Sequence, residues 1–267
     1  VNGDYQQFLQ AAEVQNEETA FGWLQVKHDW GETWQVKGAF EYLYQNQILD
    51  VSATEPTLEV ANVRGSTFTV RPSVRRNLGG GWLELEAPAE WQLYQAPLDD
   101  TRQVTPRLIG GIPLGPRDEL TLSYAWGETW YATDEDRPAS GTPIPGTQRE
   151  MTGQEVRVGW KRAWDEARHW QTTARASGRW VTDNGSGYYD YNRALGLLQV
   201  RYRNRGWGVS GEARFTHYDY PVQTVSATDP ALRVRSEITC DLTIERSLTS
   251  WLGAFLNYTF DRTYGNR

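Results

Sequence analysis

From residue 83 to residue 93 every second side chain is apolar: Leu83, Leu85, Ala87, Ala89, Trp91 and Leu93, with Glu84, Glu86, Glu90 and Gln92 among the positions between. The pattern returns at Leu232, Val234, Ser236, Ile238, Cys240, Leu242 and Ile244, alternating with Arg233, Arg235, Glu237, Thr239, Asp241, Thr243 and Glu245. A helix would scatter these two sets around its circumference, whereas a strand puts them on opposite faces. Runs of about 10 to 14 residues exceed the usual strand of a water-soluble domain and suit a tilted crossing of a bilayer.

This periodicity predicts strands over 20–30, 34–49, 66–78, 81–95, 103–114, 119–132, 150–164, 169–182, 193–204, 207–220, 232–246 and 250–263. The joints alternate in length. Short turns fall at Gly31-Glu32-Thr33, Gly79-Gly80, Gly115 to Asp118, Asp165 to Arg168, Arg205-Gly206 and Ser247-Leu248-Thr249. Longer loops fall near 50–65, 96–102, 133–149, 183–192 and 221–231. Short turns on one side and long loops on the other mark an up-and-down barrel of an outer membrane, short side periplasmic. Trp30, Trp34, Trp82, Trp164, Trp170, Trp207 and Trp251 gather beside the short turns, as an interfacial aromatic girdle would. The expected fold is therefore all-β, an antiparallel transmembrane β-barrel of about 12 strands, within a range of about 12 to 14.

Residues 1–18 stand apart as either an extra strand, with Tyr5, Gln7, Leu9 and Ala11 on one face, or a tether in the lumen or periplasm; 19–267 form the barrel. Twelve strands from residue 20 leave both ends on the long-loop side. The expectation is that an extra strand at the start, or a last strand beyond Arg267, restores periplasmic ends.

Composition excludes several classes. A net charge of −7 argues against a general nucleic-acid binder, which needs a cationic face to displace counterions. Cys240, the single cysteine, makes neither an internal disulfide nor a cysteine-rich zinc site, and no metal or cofactor is expected. No run of about 20 apolar residues is present to form a transmembrane helix. A mean hydropathy of −0.66 is no obstacle to a barrel, because its strands show lipid only every second residue.

The strands, the turn asymmetry and the tryptophans resemble those of bacterial outer-membrane porin-like β-barrels. The last hairpin, from Leu232-Arg-Val-Arg-Ser-Glu to Leu242-Thr-Ile-Glu-Arg and then Trp251-Leu-Gly-Ala-Phe-Leu-Asn-Tyr-Thr-Phe-Asp-Arg, is similar to the closing hairpin of β-barrel porins over about 35 residues. Arg267 departs from the aromatic terminus of that pattern. The resemblance implies an integral protein of the Gram-negative outer membrane, among lipid and lipopolysaccharide. Some relatives of such barrels serve exopolysaccharide export.

On the inward parity, Glu84, Glu86 and Glu90 form one arc, and Arg157, Lys161, Arg175, Arg179, Arg201 and Arg203 a distant one. Arg71, Arg75, Arg214, Arg233 and Arg235 complete the candidate pore lining. Opposed arcs across water create a transverse field that favours small hydrophilic or ionic solutes. The expected function is a porin-like channel. The alternative is a conduit or scaffold of an envelope export or assembly complex, with other envelope proteins or a second copy as partners and a plugged lumen. Pairing of Arg75 with Glu84 across a hairpin favours such a plug.

An enzyme is not expected. His28 and His217 carry the lipid-facing parity, His169 sits in a short turn, and no Gly-x-Ser-x-Gly, His-Glu-x-x-His or phosphate-loop motif occurs. Tyr188, Tyr189 and Tyr191 in a loop suggest sugar stacking, but a structured loop tip is the simpler reading. Asp134-Glu135-Asp136 suggests a cation site, with a solvated loop as the simpler reading. Gly110-Gly111, near Pro106 and Pro113, suggests a bulge or a place where an extracellular loop folds inward, with a kink in a strand as the simpler reading.

Overall fold

The structure, a computed structural model, describes residues 2–7, 16–50, 60–96, 98–138, 140–225, 229–249 and 251–266. Fifteen strand segments make one antiparallel sheet: β1 (Asn2–Gln7), β2 (Asn16–Trp30), β3 (Trp34–Asp50), β4 (Val60–Asn77), β5 (Trp82–Glu86), β6 (Ala89–Tyr94), β7 (Thr101–Val104), β8 (Arg107–Pro113), β9 (Asp118–Tyr131), β10 (Glu150–Ala163), β11 (Trp170–Asp183), β12 (Tyr191–Asn204), β13 (Trp207–Thr224), β14 (Leu232–Ser247) and β15 (Gly253–Gly265). β5 and β6 both pair β4, and β7 and β8 both pair β9, so β5–β6 and β7–β8 are each one interrupted strand, and the strands otherwise neighbour one another in chain order.

Two strands are cut by proline, not by a change of register. β4 pairs β5 at Ser73↔Glu86 and β6 at Val70↔Ala89, a constant offset, and the Ala87 amide still bonds Pro72 O at 3.0 Å. Pro88 has no N–H to give the ladder. β7 and β8 are separated in the same way at Thr105-Pro106, with Glu86↔Arg107 and Ala89↔Val104 in one register. Joining these two pairs reduces the fifteen segments to thirteen strand paths. Twelve of them lie over the ranges read from periodicity. The thirteenth is β1, which pairs β2 from Asn2↔Phe21 to Gln7↔Asn16. Of the residues expected to share its face, Leu9 and Ala11 lie outside the described residues.

The short turns need special backbone. Arg205 and Gly206 both have positive φ, at 46° and 78°, which is the two-residue hairpin arrangement whose twist matches its strands. At the next joint but one, Asp165 caps the turn by accepting the His169 amide at 3.1 Å and the Trp170 amide at 2.8 Å.

The sheet is strongly curled. Gln45 on β3 and Tyr191 on β12 line one cavity of about 360 Å³. Seven strand steps separate them, roughly 34 Å across a flat sheet at the usual spacing. Only curvature brings them together. The outermost strands β1 and β15 each pair on one side among the described residues, and they run in the same direction.

Dry core is scarce. The buried apolar side chains among the described residues are Val63, Ala125, Ala163, Val181, Tyr189, Tyr191 and Tyr220. Leu83, Leu85 and Leu242 are 43 %, 55 % and 39 % exposed, so the apolar stripe that defines the sequence is turned outward rather than inward.

Candidate functional site

The concave face is the face that lines the curled interior, and register fixes its membership. Ser73 lies opposite Glu86, Arg75 opposite Glu84, Glu155 opposite Arg179, and Arg175 opposite Leu197. Arg71, Arg75, Glu84, Glu86, Glu90, Arg157, Lys161, Arg175, Arg179, Arg201, Arg203, Arg214, Arg233 and Arg235 all carry this parity. The convex parity from β3 to β14 carries Val36, Phe40, Val70, Val74, Leu108, Ile112, Leu122, Val156, Val158, Leu198, Phe215, Ile238 and Leu242.

Two of the three carboxylates of the acidic arc, Glu84 and Glu86, are neutralised by neighbouring cations, and Glu90 is hydrogen-bonded. Glu84 takes Lys37 Nζ at 3.3 Å and the Ser73 hydroxyl at 2.9 Å. Glu86 sits between Arg71 at 3.5 Å and Arg107 at 3.6 Å, and Arg71 also meets Glu41 at 3.3 Å. Glu90 accepts from Thr69 at 3.2 Å and Gln92 at 2.6 Å. The expected Arg75–Glu84 pair has the right register but no ion pair. Glu84 bonds diagonally instead, as long side chains on a twisted sheet can. Arg75 lies over the Trp82 ring, 3.9 Å from its centre.

The opposite arc is less balanced. Glu155 holds both Arg157 at 2.6 Å and Arg193 at 2.8 Å, Glu212 holds Arg214 at 2.7 Å, and Glu237 holds Arg235 at 2.6 Å. Lys161, Arg175, Arg179 and Arg201 have no ion-pair partner among the described residues.

Toward the long-loop end, the 360 Å³ cavity is lined by Gln45, Gln92, Gln103, Tyr94, Tyr131 and Arg179, among others. Tyr94 fits there because Gly65 faces it: a Cβ on Gly65 would come 2.2 Å from the ring. The loops above are tied by charge and aromatic contact. Arg149 is fully buried, 2.9 Å from Asp134 and stacked on Tyr131 and Tyr189 at 3.4 and 4.1 Å. Arg137 donates to the Tyr189 hydroxyl at 2.8 Å. Tyr189 is thereby buried, and Tyr191 is buried separately against Val181, Tyr218 and Tyr220. Asp134, Glu135 and Asp136 diverge: Glu135 accepts the Gly146 amide at 3.1 Å, and Asp136 is buried over Gly185.

Two loop carboxyls shift in opposite directions. Burial alone would raise Asp99, but the Thr133 and Asp134 amides, the Thr133 hydroxyl and the Asp100 amide together hold it below its ordinary range. Burial pushes Asp190 up, and the nearby charges of Asp183 and Asp136 add to it.

The tryptophans beside the short turns divide. Trp30, Trp34, Trp164, Trp170 and Trp207 are outward-facing and 41–64 % exposed, and Trp251, in the last turn, is 82 % exposed. Arg76, Arg162 and Arg246 stack on Trp34, Trp164 and Trp207. Trp82 departs from the expected girdle. It shares the parity of Glu84, faces inward, and gives its indole N–H to Glu119 at 3.0 Å. Sequence reasoning missed a second outward row toward the long loops: Tyr42, Phe68, Trp91, Trp126, Trp130 and Trp180. Counting ten residues up β11 from Trp170 to Trp180 would have found it.

His217 is outward, bonded to Ser236 at 2.8 Å and Asp219 at 3.2 Å, and His169 meets Asp165 at 2.8 Å in its turn. Gly110 and Gly111 lie in unbroken register with β5, so no bulge occurs there. No protein-family model matches the chain, and no curated protein is similar to it.

Proposed function

We propose that this chain is a transmembrane β-barrel of the Gram-negative outer membrane, working as a porin-like channel for small hydrophilic or ionic solutes. One observation carries the reading: between two aromatic rows the inward face of the sheet is rich in charge while the outward face is mostly apolar. On β11 the outward residues from Trp170 to Trp180 are Thr172, Ala174, Ala176 and Gly178. Ten residues rise roughly 33 Å along a strand. At the tilt of a closed barrel that is about 25 Å of height, the apolar band of an outer-membrane barrel between its girdles. The inward face over the same span carries Arg175 and Arg179, charges that lipid would reject and a water-filled interior accepts.

Hydrocarbon tolerates no open sheet edge, so this reading requires β1 and β15 to be closed in the bilayer. Because they run in the same direction, they meet either as a parallel pair or through one further descending strand.

Single-channel recording in planar bilayers tests the function. Steady ohmic openings with ion selectivity are expected, and a folded, inserted protein that never conducts would overturn the channel.

A second reading is a conduit or scaffold of an envelope export or assembly complex. The burial of Arg149, Tyr189 and Tyr220 at the long-loop end favours it, since closely packed loops suit a filled interior better than an open one. Absence of conductance with co-purification of envelope proteins is its expected signature.

A further inference from the structure

We infer that the short-turn half of the concave face holds a binding site for multivalent oxyanions, of the kind carried by phosphate esters and pyrophosphate, built from Lys161, Arg175 and Arg201. The site gives the channel its substrate class and so rests on the channel reading, but its occupancy is measurable without conduction.

Three observations converge. The first is position. Lys161 pairs with Thr173 across β10 and β11, Arg175 is two residues from Thr173 on the same face, and Arg201 lies on β12 opposite Gln171, two residues the other way. Lys161 and Arg175 are diagonal neighbours, about 7 Å apart at Cβ. Arg201 stands two strands from Lys161 and four residues along β12 from Leu197, the partner of Arg175, roughly 12 and 14 Å from the two at the usual strand spacing and rise, so a shared anion is reached by extended Lys and Arg side chains converging on it. The second is space. All three line a single cavity of about 250 Å³, with the polar side chains of Thr121, Thr173, Gln171 and Gln199 around them.

The third is unspent charge. Glu84, Glu86, Glu155, Glu212 and Glu237 each hold a cation of their own within 3.6 Å. Lys161, Arg175 and Arg201 have no ion-pair partner among the described residues. Glu119 is the carboxylate in the cavity lining, and it lies directly opposite Lys161. It accepts the Trp82 indole N–H at 3.0 Å instead of forming an ion pair with the lysine. Two guanidinium forks and an ammonium facing water present more donors than one carboxylate can use, and suit a tetrahedral oxyanion. The transverse field expected from two opposed arcs becomes a local positive well, because Glu84 and Glu86 are ion-paired whereas Lys161, Arg175 and Arg201 are not.

The test is calorimetric titration of the folded, detergent-solubilised protein with inorganic pyrophosphate at low ionic strength, where screening is weak. Saturable binding at one site is expected. Each of Lys161→Gln, Arg175→Gln and Arg201→Gln should weaken it about tenfold, the loss of one charged hydrogen-bonding partner. Glu119→Gln should tighten it, and Arg64→Gln, on the convex face, should leave it unchanged. No saturable binding by the unaltered protein, or equal binding by all three glutamine variants, overturns the site. The single variants keep the test decisive where a triple variant fails to fold. Planar-bilayer recording with added pyrophosphate separates the two readings. Binding without channels keeps the site and removes the channel; channels without binding or block keep the channel and remove the site.

Discussion

Trp82 reaches over β8 to give its indole N–H to Glu119 on β9, at 3.0 Å. The strand beneath yields room for the ring only because Gly111 has no side chain: a Cβ there would lie 2.2 Å from the indole. Gly110, one residue earlier and on the other face, has its nearest neighbour at 3.8 Å. Gly111→Val should therefore cost about 1–3 kcal/mol by overpacking, while Gly110→Ala costs under about 0.5 kcal/mol. Urea unfolding in lipid bilayers measures both. Equal effects would show that the ring does not lie on Gly111.

Leu85 is outward on β5 and Glu84 inward, one residue apart. With Leu85 in hydrocarbon, Leu85→Arg should cost roughly 2–4 kcal/mol near the midplane. In water a half-exposed leucine would accept arginine with little change. Comparing the folded fraction of Leu85→Arg in bilayers with that of Ser123→Arg, on the concave face of β9, distinguishes these environments. A neutral Leu85→Arg removes the membrane from the account.

Both alternating faces were legible from sequence because a period of two cannot be satisfied by any other regular structure. The same alternation put Trp82 with Glu84, and nearness to a turn was the weaker guide for it. The second aromatic row escaped notice because the long loops differ in length, so distance from a loop does not report height, whereas distance from a short turn does. Which acid meets which base was not legible either. Register placed Arg75 opposite Glu84, but the choice of Lys37 and Ser73 as Glu84's partners depends on rotamers and sheet twist. The unpaired state of Lys161 likewise turns on a rotamer, since Glu119 opposite it accepts the Trp82 indole instead.

Arg149 joins the loop over 132–149 to β9 and to the Tyr189 loop, with none of its side chain exposed. Asp134 keeps 26 % of its own side chain in water, so removing the cation strands it only in part. Arg149→Ala should cost about 3 kcal/mol, the low end for breaking a buried pair, and Arg149→Lys should recover little because an ammonium has no plane to stack on two rings. Limited proteolysis should cut between 132 and 149 in the alanine variant while the strands stay protected. An unchanged digest would show that the loop is held by other contacts.

Acid should act on the two loop carboxyls in opposite senses. Asp99 is held below its ordinary 3.8, so its bonds to Thr133 and Asp134 contribute fully above that value and are lost as pH falls through the lowered one. Asp190 is held above 3.8, so its charged form is a burden at neutral pH that protonation relieves as pH falls toward and through the raised value. Amide exchange, corrected for its intrinsic pH dependence, should show the Thr133 and Asp134 amides losing protection below pH 3.8. Asp190→Asn should stabilise the loop over 184–190 at neutral pH and have little effect in acid. A stabilisation that persists unchanged into acid would mean that charge burial is not its source.

Cys240 gives the sharpest reading of the two faces, because it is the single cysteine of the chain and sits outward on β14 between Ile238 and Leu242. Its neighbour Thr239 points to the concave side, opposite Arg214 on β13. In liposomes, a charged, membrane-impermeant thiol reagent should leave Cys240 unmodified, since hydrocarbon excludes both the reagent and the thiolate that it needs. In a Cys240→Ser background, Thr239→Cys should react readily, because water in the interior brings the reagent to it. Carrying the substitution along β14, Ile238→Cys should be protected and Asp241→Cys reactive. This two-residue period must hold along the membrane-spanning length of the strand if one face meets lipid and the other water. Uniform labelling of both parities would show a sheet with water on each side, and uniform protection would show one whose interior admits no solute.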